Sequence, residues 1–208
     1  MDSGITVTGS GRASAPADLL RVVLSVGCDA TDVASAVDAV AARTAAVTAA
    51  LQERGVAAAD VRTTAVNVFP NYGEAMRVHS YRASHTLTVS TSRLDGFGQL
   101  LNAAIDAAGN DLSVDQLSFD IADKTALLEQ ARHAAFQDAR AKAGHLAVLA
   151  GRELGTLEAV EESVGHGPIV PLFARDAATS PDLAVAPGEQ TVELTVTVRW
   201  AWASRRAS

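Results

Sequence analysis

Ala126 to Gly155 reads ALLEQARHAAFQDARAKAGHLAVLAGRELG. Within it Leu128, Ala131, Ala135, Ala139, Leu146 and Leu149 recur at roughly three- and four-residue steps, which predicts one long helix over about 125–152 with a single apolar stripe. Most of that stripe is methyl-sized, so the helix axis can lie unusually close to whatever it covers. Arg132, His133, Asp138 and Arg140 fall away from it. No cysteine or serine occurs on this helix, and none of its carboxylates has a recognisable catalytic partner. The stretch specifies a fold and no reaction.

Upstream, Ile5 and Val7 alternate with Thr6 and Thr8, as a half-buried strand does, and the strand runs to Gly11. After the break Ala15-Pro16-Ala17-Asp18, Leu20 to Asp29 forms a second strand with Val22, Leu24, Val26 and Cys28 on one face. The two together predict an antiparallel hairpin. Asp32 is placed to cap a helix in which Val33, Val37, Val40, Thr44, Val47 and Leu51 form one seam, and Gly55 ends it. Val61–Phe69 and Tyr81–Thr91 read as strands of a second hairpin around Pro70-Asn71-Tyr72-Gly73. A helix over Leu94–Ala108 and a strand through Leu117, Phe119 and Ile121 lead into the long helix.

Beyond it, Leu157–Val164 is a short strand. In the last strand Val192, Leu194, Val196, Val198, Trp200 and Trp202 share a face, which puts it near the middle of a sheet or against the long helix. Between these strands, 163–190 is a long segment holding Pro168, Pro171, Pro181 and Pro187. It reads either as a surface loop or as an arm in which Ile169, Val170, Leu172 and Phe173 pack on a neighbouring subunit.

The bulk numbers narrow the class. At 208 residues the chain suits one domain over 1–208 or two closely packed lobes, and its 48% hydrophobic content is that of a globular protein. A net charge of −7 disfavours non-specific binding to nucleic acid or anionic lipid, so neither is expected as a partner. The only basic run is Arg205-Arg206, read as a solvated tail. Cys28 is the single cysteine, which rules out an intrachain disulfide and reads as a small buried hydrophobe. The first residues lack a basic start and an apolar run of signal-peptide length, and no later stretch approaches the ~20 apolar residues of a membrane helix. The sequence as it stands therefore predicts a soluble, cytoplasmic protein without membrane insertion; a leader already removed would look the same.

Motifs for chemistry are scarce. Gly9-Ser10-Gly11 lacks the third glycine and the following helix of a phosphate loop. His79 and His85 share a strand face but lie about 20 Å apart at ~3.3 Å per residue. His133 and His145 are about 18 Å apart along a helix at ~1.5 Å per residue. His166 stands in the long segment, so no pair can chelate one ion. Glu161 and Glu162 point to opposite faces of a strand, and Asp120 and Asp123 flank a helix start, where carboxylates meet the dipole. No cofactor, metal or catalytic residue is expected.

Several segments, taken in order, resemble the SIMPL-domain (DUF541) family. They are Gly9-Ser10-Gly11 with Ala15-Pro16-Ala17-Asp18, Val61-Arg62-Thr63-Thr64 leading to Val68-Phe69-Pro70-Asn71-Tyr72, Tyr81-Arg82-Ala83, and Leu117-Ser118-Phe119-Asp120. Ala139-Arg140-Ala141-Lys142-Ala143, Leu154-Gly155 and Pro187-Gly188-Glu189 complete the set. The resemblance implies an α+β fold with antiparallel strand pairs and sheets packed against three helices. It also implies closed ring-like or channel-like oligomers, loose links to envelope integrity and oxidative stress in bacteria, and no established catalytic residues. Most relatives are exported, whereas no signal peptide is visible here.

The function expected from the sequence is therefore a non-enzymatic, self-associating scaffold or stress-related protein forming a homo-oligomer. The alternative is a small-ligand-binding module with a pocket between the long helix and the sheet, lined by Arg77, His79 and Tyr81. Those three read equally well as an ordinary strand edge.

Overall fold

The computed structural model describes residues 4–73, 76–164 and 188–203. The elements follow in the order β1 (Gly4–Pro16), β2 (Leu19–Ala30), α1 (Val33–Glu53), β3 (Val61–Tyr72), β4 (Val78–Thr91), α2 (Phe97–Ala108), β5 (Leu112–Asp120), α3 (Thr125–Leu149), β6 (Leu154–Val164) and β7 (Glu189–Trp202). They make an α+β fold with two antiparallel sheets, ordered β1-β7-β6 and β3-β4-β2-β5. The described chain divides into two compact units, one of residues 4–16, 121–164 and 188–203, the other of 17–73 and 76–120.

In the first unit β7 is the central strand, and α3 lies across β1 and β7. The buried face of α3 is Leu127, Ala131, Ala135, Ala139, Ala143 and Ala147, a row of four-residue steps. The expected stripe holds at Ala131, Ala135 and Ala139 and fails at its end, where Leu146 and Leu149 are exposed, Leu149 by 71%. The physical reason is closeness, since after Leu127 only methyls fit this seam. A Cβ added to Gly9 or Gly11 of β1 would overlap the backbone of Ala135 or Ala131. Helix and strand thus meet backbone to backbone, and Leu194, Val196, Val198 and Trp200 of β7 fill the rest of the core. Phe136 leans on Trp200 with ring centroids 6.3 Å apart.

In the second unit α1 packs on β2 and β4 and alongside α2. Asp32 caps α1, as expected: Ser35 N–H donates to its Oδ1 at 2.9 Å. The seam buries Ala36, Val40, Thr44, Val47 and Leu51, so it begins at Ala36 and leaves Val33 and Val37 exposed. Gly55, at φ +88°, takes the left-handed conformation that ends the helix. By length and composition alone α1 could cross a membrane, with a mean hydropathy of 1.3 over its most apolar window. The expectation that no stretch reaches that threshold is corrected here. The alanines raise the average, while the seam packs on a sheet.

Two further expectations change. β1 and β2 are not a hairpin, because β1 pairs with β7 and β2 lies between β4 and β5. Their inner faces explain the separation: Gly9, Gly11 and Ala13 suit an alanine helix, whereas Leu20, Val22, Leu24 and Val26 need a bulkier partner. The β3–β4 hairpin is present as expected, with α2 starting at Phe97 after a single turn of 3₁₀ helix over Leu94–Gly96. Ser163, Val164, Glu189 and Gln190 belong to strands rather than to the long segment between them. Ile169, Val170, Leu172 and Phe173, like Arg205 and Arg206, lie outside the described residues.

Candidate functional site

Sheet edges are where this fold leaves hydrogen-bonding capacity open, and the four edges differ. At β1 the outward Ser10 N–H donates to Asp138 Oδ2 at 2.8 Å, and Lys142 Nζ donates to Thr8 O at 3.1 Å. The two side chains also pair with each other at 2.7 Å, i to i+4 on α3. The Lys142 hydrogen bond first, and then the Ser10 N–H, hold the Asp138 carboxyl below its usual range. β6 carries Glu158, Glu161 and Glu162, and β5 carries Asp115 and Asp120. Arg199 Nε lies 2.9 Å from Glu158 Oε2, and Arg132 grips Glu162 with two hydrogen bonds of 2.5 and 3.0 Å.

β3 differs from the other three edges. It pairs with β4 alone, and from Thr63 to Tyr72 it holds no charged residue. Val66, Phe69 and Tyr72 are exposed by 56%, 60% and 57%. Register with β4 is unbroken from Ala65 to Pro70, between a bulge at Thr63/Ala65 and a shift at Asn71/Tyr72.

Beside β3, on the helix face of the sheet, runs a groove of about 480 Å³. Its α1 wall presents Ala45, Thr48, Ala49 and Gln52, and its sheet wall presents Thr63 and His85. Thr63 Oγ1 and His85 Nε2 share a hydrogen bond at 2.8 Å. Thr44 also lines the groove; it is 6% exposed and its hydroxyl has no hydrogen-bond partner. Thr48 Oγ1, one turn on, donates to Thr44 O at 2.9 Å. The groove forms because α1 sits over β4 and β2 and reaches the edge strand β3 only marginally.

The pocket proposed from sequence falls elsewhere. Arg77 precedes β4 and accepts from Gly73 N–H through its carbonyl at 2.9 Å, and His79 is exposed near that hairpin turn. Tyr81 packs at the rim of the core of its own unit. None of the three lines the groove, which lies against α1, whereas α3 covers its own sheet too closely to leave space. Sequence reasoning missed the groove residues because Ala45 and Ala49 look like ordinary exposed helix. Thr44, read as a seam position, was the available signal, since a hydroxyl in an apolar row needs a partner.

Several other polar groups have structural work. Asp29 accepts from Arg82 Nη1 at 2.6 Å and from Asn71 Nδ2 at 2.8 Å. Ser25, Ser113 and Asp115 bond together at the β5 bulge. Asp123 accepts from Thr125 N–H at 2.9 Å, the capping role expected of it. Cys28 is buried, and its thiol donates to Asp111 Oδ2 at 3.8 Å. Burial above all, and then the Asp111 carboxylate, push that thiol's pKa up. Among the described residues no group of three or more His, Cys, Asp or Glu could hold a metal ion.

Fold and site thus define an α+β protein of two small antiparallel sheets with one uncharged edge and a groove lined without Asp, Glu, Lys or Arg. The chain belongs to the SIMPL family, a protein family of unknown function (DUF541), whose model matches residues 5–200. It is 28% identical over 181 residues to the uncharacterized protein YggE of Escherichia coli K12, covering 84% of this chain and 72% of that one. It is 29% identical over 210 residues to the 26 kDa periplasmic immunogenic protein of Brucella melitensis, covering 93% and 82%. A solved structure titled as a putative glycine cleavage system transcriptional repressor aligns at 10% identity over 91% of this chain and 84% of that one; its TM-score of 0.22 carries no argument.

Proposed function

We propose that this chain is a self-associating structural protein whose copies join through the free edge of β3. One observation carries the reading: the uncharged run Thr63–Tyr72 on an open edge, with Val66, Phe69 and Tyr72 exposed. Natural sheets blunt such edges with charge, cover, bulges or proline. β1, β5 and β6 carry charge or cover, whereas β3 has Pro70 and two register irregularities that leave Ala65–Phe69 between them open. Pairing with a second copy would satisfy the outward amides and cover Val66 on one face of the sheet and Phe69 on the other. The ring-like assemblies implied by the family resemblance favour the same reading.

A structural rather than catalytic role is supported by the polar side chains, whose hydrogen bonds are spent on caps, edges and cross-strand pairs. A link to oxidative stress would run through assembly rather than through Cys28, whose thiol is buried and disfavoured as thiolate. The periplasmic designation of the Brucella relative favours an envelope location for this chain too. The cytoplasmic expectation rested only on the first residues of the given sequence, which decide nothing.

Light scattering coupled to size exclusion tests the reading. Wild type should elute as a discrete multimer of the 21.4 kDa chain, and a Val66→Lys/Phe69→Lys double variant should elute at that single-chain mass. Equal masses for the two proteins would end it.

A further inference from the structure

We infer that the groove beside α1 binds a small, uncharged amphipathic molecule. Its volume, about 480 Å³, lies within the roughly 300–1,000 Å³ of small-molecule sites. None of its lining residues is Asp, Glu, Lys or Arg, and its one titratable side chain, His85, is hydrogen-bonded to Thr63, so no fixed charge faces a ligand. The walls supply methyls at Ala45 and Ala49 and apolar surface at Val61 and Leu87, which suit an apolar body. Polar specificity comes from Gln52, from the Thr63–His85 pair, and from Thr44.

Thr44 is the independent pointer. A buried hydroxyl without a partner costs stability, and native proteins seldom keep one without a use. Threonine in a helix has two accessible χ1 rotamers, so turning this hydroxyl toward a ligand gives up no existing hydrogen bond. The site shares Thr63 with the proposed association edge, yet its whole lining comes from a single copy, so it does not rest on the self-association reading.

The test uses N-phenyl-1-naphthylamine, an uncharged fluorophore with one N–H that brightens in apolar surroundings. Wild type should show saturable enhancement, displaced by 1-octanol and not by octanoate at equal concentration. Ala45→Phe, which fills the groove from an exposed position, should keep its circular dichroism spectrum and lose the enhancement. Thr44→Val should bind about fivefold more weakly, from one lost hydrogen bond, while the unliganded protein melts higher than wild type. Absence of saturable enhancement in wild type overturns the proposal, as do equal binding by Ala45→Phe, equal displacement by octanoate, or an unchanged Thr44→Val affinity. Enhancement seen only in Val66→Lys/Phe69→Lys would also overturn it, because a second copy would then be the occupant.

Discussion

The backbone N–H of Ser10 donates to the carboxylate of Asp138 at 2.8 Å, so a side chain from α3 closes the free edge of β1. The contact depends on Gly9 and Gly11, which let α3 come close enough for a short aspartate to reach over the edge. Helix position, edge protection and the Gly-Ser-Gly sequence are thus one device. The glycines that look like a fragment of a phosphate loop are there for packing.

Gly11→Ala should destabilise the protein by about 2 kcal/mol or more, because the new methyl overlaps the Ala131 backbone and either helix or strand must shift. Gly144→Ala, on the same helix with open space around it, should instead stabilise by about 0.5–1 kcal/mol. Urea unfolding of the two variants beside wild type reads both signs at once.

Replacing both Asp138 and Lys142 with alanine removes the two groups that occupy Ser10 N–H and Thr8 O. The fold should survive, since both side chains lie outside the buried seam. β1 then becomes a second open edge, and static light scattering should report species larger than wild type at equal concentration. An unchanged mass distribution would show that the pair guards nothing.

Acid should weaken the fold in a defined window. Asp32, Asp123, Asp138 and Glu162 all have carboxyls held below their usual range, each by hydrogen bonds from named neighbours. The unfolded chain therefore binds more protons in acid than the folded one, and stability falls as the pH drops. Their contribution is fully present above the unfolded carboxylate values, near 4, and is lost below them. Urea midpoints should hold level from pH 7 to 5 and fall below pH 4, less steeply for Asp138→Asn.

Cys28 should react slowly with a thiol reagent in the native protein and rapidly in denaturant, because it is buried and its pKa is raised. Fast native labelling would return the thiol to consideration as a reactive group.

Much of the fold was legible from side-chain period alone. The alternation of Val22, Leu24 and Val26 placed β2, and Asp32 and Gly55 bracketed α1. What failed was partner choice: β1 pairs with β7, nearly the whole chain away, and nothing local in Ile5–Gly11 states that. The leucines of α3 misled for a related reason, since how near the helix lies to its sheet, not residue hydrophobicity, decided which positions are covered. The groove was invisible because it arises from α1 stopping short of β3, a tertiary offset with no sequence period.

Amide hydrogen exchange of the β3 strand, followed over a range of protein concentrations, bears most directly on the assembly reading. The outward amides within Ala65–Phe69 should exchange quickly in dilute solution and become protected as concentration rises, while the Ser10 amide stays protected throughout. If the β3 amides exchange at one fast rate at every concentration, the edge is not where copies of this chain meet.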